Sequence, residues 1–229
     1  MVRVTRMARE PVPARSLREE RRRQQELLSQ NHLLDAAEVV FAEKGYAGAT
    51  VKEIAERSEF SVGAVYQFFE SKEALLRGVM RRRNVEVRQQ MEEVVLARSD
   101  DPYEQLHALV DFVTEWYDAH EPYYRLFQQA IGAAWMNLKV GFDDTNWSQY
   151  EDILALEAGV FASGIERGRF RPLDPAGMAV IFAGMMQAYL AHRIVGVGAD
   201  KRPAAEVLPL KEVHQLVDRA FLLEGGSGS

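Results

Sequence analysis

Apolar positions along the 229-residue chain recur at helical spacing, and no run alternates for long enough to claim a strand. Asn31 to Lys44 keeps an apolar stripe at Leu33, Leu34, Ala37, Val40 and Phe41, then stops at Gly45, a residue suited to a helix C-terminus. Thr50-Val51-Lys52-Glu53 has the form of a capping box, in which the Thr50 hydroxyl accepts a backbone N–H and Glu53 reaches back. It opens a short helix with Val51, Ile54 and Ala55 inward. Ser61 caps a second short helix carrying Val62, Val65 and Phe69, and Ser71 caps a long one running to about Ala97. Asp101-Pro102 and Asp174-Pro175 each set an N-cap before a proline at the first helical position. Pro122 starts a helix after a break at His120. A loop from Gly141 to Asn146 leads into a helix from about Trp147 to Gly168. The helix from Pro175 ends near Gly196, and Pro203 to Pro209 lead into a last helix through Phe221. The pattern predicts an all-α fold of about nine helices without an internal repeat.

Composition narrows the class. Hydrophobic residues make up 47% and charged residues 27%, which suits a folded soluble chain. Cysteine is absent, so disulfides, thiolate ligands and cysteine nucleophiles are out, and a cytoplasmic location is expected. Met178 to Ala191 is nearly apolar but holds Gln187 and is 14 residues long. A membrane-spanning helix needs ~20, so a buried helix and no membrane partner are expected. No apolar segment follows the charged N-terminus, so no secretory signal is expected either.

Enzyme chemistry lacks an inventory. The five histidines, His32, His107, His120, His192 and His214, are scattered. Only His107 and Asp111 share a helical face, and two weak ligands do not make a metal site. Gly196-Val197-Gly198 lacks the continuation of a phosphate-binding loop. The expectation is no enzyme, no cofactor and no metal.

Charge is divided along the chain. Residues 1–83 carry 16 Lys+Arg against 12 Asp+Glu, net +4, whereas residues 84–229 carry 12 against 22, net −10. Residues 1–23 alone hold eight arginines and three glutamates. A basic end on an acidic body suggests a polyanion partner, or else a solvated tail.

Val51 to Ser58 and Ser61 to Phe69 have helix-turn-helix spacing, a motif whose second helix enters the major groove of DNA. The ordered stretch Leu33-Leu34-Asp35-Ala36-Ala37, Phe41-Ala42-Glu43-Lys44-Gly45-Tyr46, Thr50 through Ile54-Ala55, Ser61-Val62-Gly63-Ala64-Val65-Tyr66, Phe69, Ser71-Lys72-Glu73 and Leu75 resembles the TetR family of bacterial regulators. The resemblance implies that Thr50, Tyr66 and Lys72 contact phosphates, and that Ser61, Val62, Gly63, Ala64 and Gln67 face the groove. Gln67 would pair with adenine, and Val62 or Ala64 would touch a thymine methyl. Ser61 has the alternative of serving only as a cap. Three residues depart from the family pattern. Glu59 stands where a turn glycine is usual, Phe60 replaces a smaller aliphatic residue, and Phe68 stands where a histidine often contacts phosphate. Arg18 and Arg21–Arg23 are expected before the first helix, as a minor-groove arm or a loose phosphate-binding one.

The remaining helices have wide apolar faces that would form a core or a pre-formed effector pocket. The resemblance favours a pocket, with Trp116, Phe127, Trp135, Leu154, Phe161, Phe182, Met185 and Tyr189 as candidate walls and Glu157 as a polar anchor. His192 is a second candidate anchor. Small residues Gly177, Gly184, Ala188 and Ala191 share one helical face, and Val213, Val217 and Phe221 share another on the last helix. Both are candidate homodimer surfaces.

The expected organisation is a flexible basic arm over 1–23, a helix-turn-helix domain over 24–76, a ligand-binding and dimerisation domain over 77–224 and a flexible Gly/Ser tail over 225–229. The expected function is a repressor that binds a palindromic operator in double-stranded DNA as a homodimer and is released by a small hydrophobic or aromatic effector. The alternatives are an activator or constitutive DNA-binding protein of the same fold, or an interaction protein whose DNA specificity has decayed.

Overall fold

A computed structural model describes residues 17–135, 143–195 and 207–223. Among them the chain forms α1 (Leu17–Gly48), α2 (Val51–Arg57), α3 (Val62–Phe68), α4 (Lys72–Arg98), α5 (Pro102–Ala119), α6 (Glu121–Trp135), α7 (Asp144–Glu166), α8 (Pro175–Leu190) and α9 (Leu210–Phe221). A single π-helical turn, Ala191–Val195, continues α8. The only β pairing among the described residues is one isolated bridge, Phe170 to Leu222. Of the loop expected from Gly141 to Asn146, residues 141 and 142 lie outside the described residues, but Asp143 is the N-cap of α7, accepting from the Asn146 N–H, and 144–146 form its first turn, so that helix starts earlier than Trp147. Gly196-Val197-Gly198, most of the segment from Pro203 and the Gly/Ser tail lie outside the described residues.

Caps set most boundaries. The Thr50 hydroxyl accepts from the Glu53 backbone N–H while the Glu53 carboxylate accepts from the Thr50 N–H, so both halves of the box are made. Ser61 and Ser71 accept from Ala64 and Ala74, three residues on, and Asp174 accepts from Gly177. Regular α1 geometry breaks at Gly45, whose φ of 69° suits a residue without a Cβ.

The first helix departs from expectation at its other end. It begins at Leu17, so Arg18 and Arg21–Arg23 lie within it, exposed, rather than in a separate arm before it. Residues 17–32 bury no side chain, and a helix without a buried stripe leaves no periodic signal in the sequence. The boundary expected at residue 76 also falls inside α4, which is one continuous helix shared by the two ends of the molecule.

The core is continuous from α1 to α9. Leu33, Ala37 and Phe41 of α1 meet Ile54, Val65, Leu75 and Val79, so α2 and α3 are held against α1 and the start of α4. Helix α1 also lies on α6, while α4 packs along α5 and α7, and α7 packs against α8. A buried ion pair ties α1 to α4. Glu38, 4% exposed, accepts from Arg83 Nε at 2.9 Å and Nη2 at 3.1 Å, and from Arg82 Nη2 at 3.3 Å.

The last helix is fastened by its flanks. The Arg171 N–H donates to the Phe221 carbonyl at 2.9 Å, and the Leu223 N–H to the Arg169 carbonyl at 3.1 Å. Phe170 lies against Gly164, where a Cβ would fall 2.0 Å from its ring, so only glycine allows this approach. His107 and His214 stack at 4.4 Å between α5 and α9, each paired with a carboxylate of the opposite helix, Asp218 and Asp111.

Candidate functional site

The short helices present an exposed face of mixed character. In α3 only Val65 is buried, whereas Ser61, Val62, Gly63, Tyr66 and Gln67 are exposed and Ala64 is half-buried. Tyr66 is 51% exposed, so its ring is available outward and is not needed in the core. The turn before α3 holds Glu59 at φ 59°, the left-handed conformation that a glycine adopts without strain. Phe60 is half-buried and finds its room between His32 and Phe68, at ring separations of 6.0 and 6.4 Å. Phe68 thus turns toward the protein, which accounts for an aromatic hydrocarbon at that position.

Two residues expected at phosphates, Lys72 and Thr50, make hydrogen bonds within the protein. Lys72 directs its ammonium inward, donating to the carbonyls of Tyr46 at 2.7 Å and Ala49 at 2.9 Å and lying 4.5 Å from the Tyr46 ring centroid. These bonds close the end of α1, so Lys72 is a structural cap and not a free surface cation. Thr50 is exposed, but its hydroxyl and its N–H are both engaged with Glu53, which also pairs with Lys44. The dipole at that helix end therefore already faces a carboxylate.

Beyond this face, a cavity of about 40 Å³ lies among α4, α5, α6, α7 and α8. Of the expected wall residues, Phe127, Leu154 and Glu157 line it. Trp116, Phe161 and Phe182 are buried elsewhere in the core: Trp116 stacks on His120 at 4.2 Å, and Phe161 sits among Phe170, Phe182 and Phe221. Met185, Tyr189 and His192 are half-buried outside the cavity wall, and the side chain of Trp135 lies outside the described residues. Tyr117, Tyr150 and Gln187 also line it, as do Asn84, Val87 and Met91 of α4. The α4 contribution escaped the sequence reading, although Asn84, Val87 and Met91 fall at 0, +3 and +7 on one helical face.

The cavity's polar groups differ in how they are satisfied. Asn84 accepts from the Tyr123 hydroxyl at 2.8 Å and donates to the Asn146 carbonyl at 3.4 Å. Gln187 donates to the Tyr150 hydroxyl at 3.1 Å, and its own carbonyl accepts from Tyr124 at 2.8 Å. Glu157 is 4% exposed, and burial pushes its carboxyl up to about 8. Burial likewise holds Tyr117 and Tyr150 above the usual phenol range.

The candidate homodimer surfaces separate. Gly177, Gly184 and Ala188 are exposed and Ala191 is half-buried, and beside them Val180 and Ile181 are 56% and 59% exposed. Val213, Val217 and Phe221 instead face their own chain's core, because the apolar stripe of α9 is consumed in sealing α5 and α8. Leu216, 46% exposed, is left on the outer face of α9.

Residues 33–79 match the family model described as bacterial regulatory proteins, tetR family. Over residues 33–79 the chain is a TetR-family helix-turn-helix segment. KstR2 of Rhodococcus jostii, a helix-turn-helix transcriptional repressor, is 28% identical over 139 residues, covering 61% of this chain and 66% of its own length. UidR of Escherichia coli, a helix-turn-helix transcriptional regulator, is 33% identical over 87 residues, covering 38% of this chain and 40% of its own. The chain thus spans less than two thirds of each of these relatives. The fold extends the likeness past that segment. FadR of Bacillus subtilis, solved with stearoyl-CoA, superposes with a TM-score of 0.68 over 81% of this chain and 96% of its own, at 19% identity. The similarities are to DNA-binding regulators and not to enzymes. Among the described residues no helix is long and apolar enough to cross a membrane.

Proposed function

We propose that this protein is a ligand-responsive transcriptional regulator, acting as a repressor, that binds a palindromic operator as a homodimer. The observation that carries the reading is the course of α4. Its first residue caps the end of α1 through Lys72, its middle clamps α1 through Arg82 and Arg83, and the next residue, Asn84, is a cavity wall. A molecule that displaces Asn84, Val87 or Met91 therefore moves the helix on which α1, α2 and α3 rest. Two recognition helices must meet successive major grooves about 34–36 Å apart, so a small rotation of α4 in each subunit is felt at the operator. The shift is limited by how much more tightly the effector binds one state than the other.

The exposed residues of α3 support Ser61, Val62, Gly63, Ala64 and Gln67 as the groove-facing set, with Tyr66 on a phosphate. The cavity supports an effector site lined by Phe127, Leu154 and Glu157. FadR's stearoyl-CoA complex supports ligand binding within a body of this fold. At about 40 Å³ the cavity here must widen to take any effector, which is the movement a switch requires.

The exposed α8 face supports the homodimer. A Cβ at Gly184 would meet nothing within 4 Å, so an arginine there fits the monomer and stands in the way of a partner. Operator fragments selected from genomic DNA with purified protein, followed by binding with and without effector, test the whole reading. Selection of a palindrome, its release by a compound that raises the melting temperature, and loss of binding in monomeric Gly184→Arg are expected. A monomer that selects no sequence overturns the reading.

A further inference from the structure

Glu157 is the one carboxyl among the described residues of the cavity wall, and its position is unusual for such a group. Its neighbours one turn away on α7 are Ile153, Leu154, Val160 and Phe161, all apolar. Its Oε2 is buried without a hydrogen-bond partner in the protein. Among the described residues no lysine, arginine or histidine lines the cavity, whereas the aromatic rings of Tyr117, Phe127 and Tyr150 do. The rings form one cluster, with Phe127 6.1 Å from both Tyr117 and Tyr150. The two wall amides, Asn84 and Gln187, are already bonded to protein groups. What remains for a ligand is a carboxyl with an open oxygen, set among aromatic rings.

An ionised carboxylate in such a place needs a cation, and the described residues of the wall supply none. Aromatic faces attract a cation through the ring quadrupole, and more strongly when water is excluded. An anionic ligand would meet no counter-charge among the described wall residues, and Glu157 would repel it wherever it ionises. We propose that the effector is an organic cation with an apolar body, a protonated or quaternary amine, whose charge is held by the Glu157 carboxylate and the rings of Tyr117, Phe127 and Tyr150. This rests on the cavity being the effector site.

The chemistry carries a signature. Burial keeps Glu157 protonated in the empty site up to about pH 8. A quaternary ammonium ion then binds with loss of that proton to solvent, leaving a carboxylate–ammonium pair. Below Glu157's pKa its affinity rises by up to about tenfold per pH unit, and above it the affinity levels off. The other titratable groups of the wall are Tyr117 on α5 and Tyr150 on α7, both held neutral by burial. Among the described residues the walls from α4, α6 and α8 contribute Asn84, Phe127 and Gln187 and no titrating group, so the pH dependence is Glu157's.

Calorimetric titration of the full chain with benzyltrimethylammonium, and with its uncharged isostere neopentylbenzene, tests this. Titrations at about pH 6.5, 7.5 and 8.5, each in two buffers of different ionisation enthalpy, count the protons released. Expected are preference for the ammonium ion, release of nearly one proton at the lowest pH, and about tenfold tighter binding one unit higher. Glu157→Gln should abolish the proton release and the pH dependence while its melting transition shows a folded protein. If that variant does not fold, the proton count on the unmodified chain decides. Equal or tighter binding of neopentylbenzene, binding of the ammonium ion without proton release, or no binding of it overturns the proposal. Operator release separates the two readings. Neutral compounds that release DNA while the ammonium ion does not bind leave the sensor standing and remove the cation. Proton-linked ammonium binding that never affects DNA does the reverse.

Discussion

The rings of Phe60 and Phe68 meet edge to face, 6.4 Å between centroids and 86° between planes, bridging the turn and the far end of the recognition helix. Two departures from the family pattern are thereby one compensated pair. Phe68 gives up a polar group on the DNA side and gains a partner that Phe60 provides. Alanine at both positions should cost less than the sum of the single substitutions. The coupling should be about 0.5–1.5 kcal/mol, measured by urea unfolding of the four proteins in a double-mutant cycle. Simple additivity would mean that the rings do not support one another.

Glu59 holds a left-handed conformation at φ 59° with no special contact to compensate for it among the hydrogen bonds of the turn. Glu59→Gly should stabilise the protein by up to about 1 kcal/mol, visible as a higher melting temperature. It also removes a negative charge beside the recognition helix. DNA affinity should therefore rise, more at low salt than at high salt.

Lys72 and Gln67 should now separate in their effects. Lys72→Ala removes two bonds to the carbonyls of Tyr46 and Ala49 and should cost about 1–2 kcal/mol of stability. The slope of operator affinity against salt should stay unchanged, because the ammonium is committed to the protein. A slope lower by about one would put Lys72 on a phosphate after all. Gln67→Ala should leave stability alone and relax preference at one operator position by roughly 1–3 kcal/mol.

Glu157 should leave a mark on stability as well. Its folded-state carboxyl is raised to about 8 from 4.5. The folded chain then binds more protons than the unfolded chain between those values, so stability is fully present below about pH 4.5 and is lost as pH rises through 8. Glu157→Gln, uncharged throughout, should remove this decline and be the more stable protein at about pH 8.5, by a few kcal/mol at most. Parallel melting curves across pH for the two proteins would show that Glu157 ionises in the folded state as freely as in water.

Local chemistry was readable in the sequence, and packing was not. Gly45, the Thr50–Glu53 box, Ser61, Ser71, Asp101 and Asp174 act within a few residues of themselves, so their roles follow from neighbours alone. The strain at Glu59 was legible for the same reason. The start of α1 was not, since an exposed helix of polar residues has no stripe. Phe161 and Phe127 lie on equally apolar faces, yet one fills the core and the other a cavity wall. That choice depends on where α8 and α9 come to rest. The bonds of Lys72 were not legible, because a sequence cannot show that two carbonyls more than 20 residues earlier, at Tyr46 and Ala49, accept from its ammonium.

Glu38 has two guanidiniums within reach, supplied by consecutive residues of α4. Consecutive residues point about 100° apart around a helix, so turning α4 withdraws one arginine as it advances the other. A lone arginine would make that rotation expensive, because it would strand a buried carboxylate. With Arg82 and Arg83 both on Glu38, a turn that withdraws one arginine can leave the other to neutralise the carboxylate. The joint between α1 and α4 is therefore firm against separation and permissive to twist, a swivel in electrostatic form. A rotation begun at Asn84 can pass to α1 with no interval in which the contact between them is broken.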